Sequence, residues 1–107
     1  MTRYRISTRA QADLDAIYDY VAADNATAAE RLSVTFEEKF RLLGARPLLG
    51  QLRSDLAVGL RCFTARKYVI FYRVQPPGID IVRVIHGARN AQAQFGPFED
   101  VNPEAAE

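Results

Sequence analysis

The chain has one cysteine, one histidine and no tryptophan in 107 residues. The lone Cys62 cannot close an internal disulfide. One thiol with one imidazole cannot furnish the four ligands of a structural zinc site either. No metal site and no cofactor are therefore expected. No apolar run approaches the roughly 20 residues that a membrane helix needs. The polar start "TRYRIS" lacks the basic-then-apolar pattern of a secretory signal. A cytoplasmic protein without a membrane anchor is the expectation. Internal repeats and low-complexity tracts are missing too.

The length favours one domain around one core. A net charge of +1 conceals an uneven distribution. Residues 1–45 carry six basic and seven acidic side chains, residues 46–89 eight basic and two acidic, and residues 90–107 four acids and no base. Twelve of the fourteen cations are arginine, the side chain suited to planar contacts with carboxylate or phosphate. The middle of the chain thus reads either as an anion-facing surface or as a set of ion pairs with acids on the helices.

"RYRIS", residues 3–7, alternates polar and apolar side chains and predicts a short edge strand. Ser7 or Thr8 then offers a helix N-cap, with Gln11 placed for a capping box with Thr8. Leu14, Ile17, Tyr18 and Val21 make one apolar stripe of a helix over about 8–23. After "ADNAT", Asn25 or Thr27 caps a second helix, with Glu30 three residues after Thr27. Its stripe is Ala29, Leu32, Phe36, Phe40 and Leu43, and Gly44 is placed as its C-terminal stop. Residues 46–59 read as a loop punctuated by Pro47, Gly50 and Gly59. "LRCFTA" (60–65), "YVIFYRV" (68–74) and "IDIVRVIHG" (79–87) read as strands. They are joined by a tight Arg66-Lys67 turn and by "QPPG", whose Pro77-Gly78 suits a type II turn. A short helical turn from Ala88 to Phe95 and a disordered acidic tail over 96–107 are expected to follow. The order β-α-α-β-β-β predicts an α+β two-layer domain over 1–95, a mostly antiparallel sheet with a helix hairpin on one face.

Four stretches carry a family likeness: "AQADLDAIYDYVA" (10–22), "RPLLGQLRSDLAVGLRCF" (46–63), "YVIFYRV" and "IVRVIHGARN". In this order and spacing the chain resembles the RelE/ParE superfamily of type II toxin–antitoxin toxins, and within it the ParE branch. The resemblance implies a toxin that inhibits DNA gyrase, blocking supercoiling and trapping cleaved DNA, and that a ParD-like antitoxin neutralises. It implies no sequence-specific nucleic-acid binding by the toxin alone. The related RelE branch instead cuts mRNA on the ribosome, and fold does not separate the two. That branch carries an arginine where this chain has Val69 and a tyrosine near Phe95, while Arg89 matches and His86 is a candidate acid/base. The comparison implies a lost nuclease set, with no catalytic residues. A homologue that binds antitoxin without being toxic is the third possibility.

The last two strands hold Arg73, Arg83, His86 and then Arg89. If Val74 pairs with Ile79, Arg73 lies opposite Asp80 and Ile70 opposite Arg83, and the two arginines face opposite sides of the sheet unless a bulge intervenes. Arg83 then sits among Ile70, Tyr72, Ile81 and Ile85, either snorkelling to an edge or awaiting a partner carboxylate. His86 shares a face with Val82 and Val84, the usual setting of a structural histidine. A domain this small leaves a helix-hairpin groove and a sheet face to be covered. The expected antitoxin contacts are Leu14, Tyr18 and Phe36 for a helix, and Arg61, Arg73 and Arg83 for an extended strand. His86, Arg89 and Phe95 are candidates for contact with the target.

Overall fold

The computed structural model describes residues 3–87. The elements are β1 (Tyr4–Ile6), α1 (Thr8–Ala22), α2 (Ala26–Ala45), β2 (Gln51–Leu52), β3 (Leu60–Ala65), β4 (Tyr68–Gln75) and β5 (Gly78–His86). The sheet order is β1-β5-β4-β3-β2. β1 runs parallel to β5, and every other neighbouring pair is antiparallel. This is the expected two-layer α+β architecture, with the two-residue edge strand β2 added inside the stretch read as a loop. The expected helical turn at 88–95 and the tail at 96–107 lie outside the described residues.

The helix starts follow from their caps. Ser7 Oγ accepts the Ala10 amide and donates to the Val82 carbonyl, so one hydroxyl caps α1 and ties it to β5. Asn25 caps α2 through the Ala28 amide. Neither expected capping box forms. Gln11 donates to Asp15 instead, and Glu30 accepts from Tyr18. Gly44 does not stop α2, which runs on to Ala45. A Cβ at Gly44 would lie 2.9 Å from Arg3 Cβ and 3.0 Å from the Arg3 carbonyl oxygen. Its missing side chain is what lets α2 close onto the chain entering β1.

Alternation along β4 sorts the core into two clusters. Ile70 and Tyr72 join Ile79, Ile81 and Val84 beneath Ala10, Phe36, Phe40 and Leu43 of the helices. Val69 and Phe71 join Leu60, Cys62 and Ile85, with Leu56 from the loop before β3. A bulge in β5 opposite Phe71 and Tyr72 corrects the expected register. Val74 faces Ile79 and Arg73 faces Asp80 as expected, but Arg83 faces Phe71, and Ile70 faces Val84. Because of it Ile81 and Ile85 belong to different clusters, as do Val82 and Val84. The turn before β5 is the two residues Pro76-Pro77, joined by a cis peptide bond, and Gly78 already pairs with Gln75. No helix among the described residues is long and apolar enough to cross a membrane.

Candidate functional site

The α1–α2 hairpin does not close on itself. Between the helices and β1 lies a groove of about 380 Å³, lined by Leu14, Tyr18, Leu32, Phe36 and Phe40 with Tyr4 at one side. The aromatic floor is continuous, since Phe40 packs at 5.5 Å from Tyr4 and 6.2 Å from Phe36 between ring centres. Tyr18 reaches across the hairpin and donates to Glu30 at 2.7 Å, and that carboxylate pushes the phenol's pKa up. Asp15, Glu30 and Glu37 line the same groove. Its floor is apolar, and the charged side chains that line it are all acidic. Leu14, Tyr18 and Phe36, chosen from sequence, are therefore brought together here.

The three arginines chosen with them are not. Arg61 Nη1 donates to the Gly50 carbonyl at 2.7 Å and, more weakly, to that of Leu48 at 3.4 Å. Arg73 Nε donates to the Val58 carbonyl at 3.2 Å. Both are half-buried anchors for the 46–59 loop. Although Arg73 stands opposite Asp80, the carboxylate's ion pair among the described residues is with Arg5 of β1, at 3.7 Å. Arg83 finds a carboxylate within its own chain. Asp13 accepts from Arg83 Nε at 2.8 Å and from Nη2 at 2.9 Å, with the two side chains 11% and 15% exposed.

His86 is paired across the strands with Tyr68, its ring edge-on to the tyrosine at 5.3 Å between centres. Its Nδ1 is buried and has no hydrogen-bond partner among the described residues. Arg89 and Phe95 lie outside them. Val69, the position of the RelE-branch arginine, is a fully buried core side chain.

Reading the sequence missed two groups. Asp13 is outside the apolar stripe read for α1, yet Ala10, Asp13, Leu14 and Ile17 stand at i, i+3, i+4 and i+7. That spacing places a carboxylate inside the buried stripe, where it requires a partner. Arg53 is only 5% exposed and grips Asp55 with two bonds of 2.8 and 2.6 Å. This bonding holds the Asp55 carboxyl below its usual pKa. The i, i+2 Arg-Asp spacing in "RSD" was the available signal.

The chain matches the family model described as "ParE toxin of type II toxin-antitoxin system, parDE" over residues 4–91. It is 36% identical to Toxin ParE1 of Caulobacter vibrioides, across 90% of this chain and 100% of that one. It is 33% identical to Toxin ParE1 of Mycobacterium tuberculosis, across 79% and 89%. A solved structure titled "Chromosomal ParDE TA system from P. aeruginosa" superposes with a TM-score of 0.67 at 28% identity, across 80% of this chain and 96% of that one. On its sequence and on its fold alike, the chain belongs to the ParE family of type II toxin–antitoxin toxins.

Proposed function

We propose that this toxin inhibits DNA gyrase as a binding protein rather than as an enzyme, and that a ParD-like antitoxin silences it by seating a helix in the α1–α2 groove. The observation that carries the antitoxin half is the groove itself. It is an open, aromatic-floored channel between two helices, the shape that an amphipathic helix fills. Its acidic lining asks for Lys or Arg on the flanks of that helix, as electrostatic matching sets partner choice. An extended segment leaving the groove then passes Arg61, which pairs with Tyr72 on the helix side of the sheet and whose remaining N–H groups suit carboxylates, whereas Arg73 pairs with Leu60 on the other face and lies off this path. Arg83, committed to Asp13, supports this path by holding α1 on β5.

The gyrase half is supported by membership of the ParE family. It is supported too by the poor fit of this chain to ribosome-dependent cleavage. RNA cleavage needs a base, an acid and cations on the scissile phosphate. The position of the RelE-branch arginine is instead Val69, inside the core. The test is gyrase supercoiling of relaxed plasmid, titrated with purified toxin and stopped with detergent. Loss of supercoiled product together with linear DNA is the expected result. Cleavage of mRNA on ribosomes with gyrase unaffected would move the protein to the other branch. A folded protein inert in both assays would be an antitoxin-binding homologue that has lost its toxicity.

A further inference from the structure

One end of the sheet is cationic, and neither the groove nor the loop arginines account for it. Ala65 pairs with Tyr68, so Arg66 and Lys67 form a two-residue turn at the tip of β3 and β4. Arg66 adopts φ 58, and both side chains are exposed. The Gly87 amide donates to the Lys67 carbonyl at 2.7 Å, which sets the end of β5 and His86 against the same turn. From α2, Lys39 places its Nζ 5.9 Å from the centre of the Phe63 ring, two residues before Ala65.

Among the described residues no carboxylate pairs with Lys39, Arg66 or Lys67. The acids of the sheet and its loops stand elsewhere. Asp80 is opposite Arg73 at the far end of β4, and Asp55 is held by Arg53. On α2, Glu37 is bonded to Arg41, and Glu38 is the acid next to Lys39 along the chain. The tip thus presents like charge on two elements, with His86 adding a buried ring nitrogen that has no partner among the described residues. Like charges are held together at a cost unless an anion is shared between them.

We propose that this end of the sheet, Lys39, Arg66 and Lys67 beside His86, binds the phosphate backbone of duplex DNA without regard to sequence. Two neighbouring cations on a narrow turn can meet successive phosphates, and no hydrogen bond among the described residues fixes either side chain in the orientation that base reading requires. The contact is weak when the toxin is alone and adds to its hold on an enzyme that already carries DNA. That last step rests on the gyrase reading, whereas the DNA contact does not.

The test is fluorescence anisotropy of short labelled duplexes of two unrelated sequences, titrated with toxin over a series of salt concentrations. Equal binding of both sequences is expected, weakening steadily with salt. The double variant Arg66→Asn/Lys67→Gln should lower the slope of log affinity against log salt by about 2, and Lys39→Gln, on another element, by about 1. Asparagine is chosen because it tolerates a positive φ, and circular dichroism verifies the fold of each variant. An unchanged slope in folded variants would overturn the proposal, as would the absence of binding at low salt. Displacement by polyglutamate at a lower charge concentration than unlabelled duplex requires would assign the end to an acidic protein instead, which also overturns it. Supercoiling inhibition measured on the same preparations is a separate readout, so the gyrase reading stands or falls by itself.

Discussion

Asp13 of α1 holds Arg83 of β5 through two parallel hydrogen bonds and takes a third, at 3.0 Å, from the Val84 amide. The amide lies beyond Ile81, where the pairing of β1 with β5 ends. One carboxylate therefore neutralises a nearly buried guanidinium and satisfies a backbone donor that the sheet leaves open. Removing it takes the carboxylate from a nearly buried guanidinium and the acceptor from the amide, and breaking such a pair costs about 3–5 kcal/mol. Asp13→Ala should lower stability by that order in urea unfolding. Arg83→Met, which leaves Asp13 its amide bond, should cost less.

The same pair decides how the antitoxin contact is to be probed. Arg83→Glu sets a second carboxylate against Asp13, so a loss of antitoxin binding in that variant would report unfolding. Surface positions are better probes. Glu30→Lys and Asp15→Lys change exposed residues of the groove and should leave the melting temperature nearly unchanged. Each should weaken the antitoxin complex measured by calorimetry, and the two together more than either. An antitoxin that binds the double variant as tightly as the parent would place its helix outside the groove. Phe36 cannot serve as a probe, because it is 4% exposed and Phe36→Ala should cost about 3–5 kcal/mol in the core.

How much of this was legible beforehand depends on the range of the interaction. The limits of β3 followed from Gly59 and Arg66, and the Val74–Ile79 register followed from a proline pair that can sit only in a turn. The groove residues Leu14, Tyr18 and Phe36 followed from helical spacing alone. The bulge was not legible, because "DIVRV" alternates acceptably in either register and the carboxylate that bonds Arg83 and the Val84 amide just after the bulge, that of Asp13, is some seventy residues away. β2 was not legible because two residues carry no period. Gly44 looked like a helix stop because glycine ends helices so often, and the backbone of Arg3 that requires it is far off in the chain.

Tyr72 offers a second test of long-range design. It is fully buried, its hydroxyl accepts the Gly50 amide at 2.8 Å, and it donates to the Pro47 carbonyl at 2.7 Å. Tyr72→Phe leaves that amide buried without a partner and should cost about 1–3 kcal/mol. Gly50→Ala drives a methyl to 2.5 Å from the hydroxyl and 2.8 Å from the Cys62 carbonyl, so it should cost more. In the double variant the hydroxyl is gone, and the methyl meets only part of its obstruction. The combined loss in urea unfolding should fall short of the sum of the single losses.

Acid should find the Arg53–Asp55 pair. Bonding to Arg53 depresses the Asp55 carboxyl below its usual 3.8. A depressed carboxylate stabilises the fold above the unfolded value, and that contribution drains away as the pH falls through the lower folded value. Asp55→Asn removes the linkage. The difference in unfolding free energy between parent and variant should be constant near neutrality and shrink below pH 3.8. Cys62 gives the pair a local readout. The thiol is 4% exposed in the cluster beneath the loop, and burial pushes its pKa up, so in the native protein it should react slowly with a disulfide reagent. If the pair holds the loop closed, Asp55→Asn should speed that reaction at neutral pH without a matching fall in global stability. Equal rates in parent and variant would mean that Leu56 and its apolar neighbours keep the loop shut without help from the ion pair.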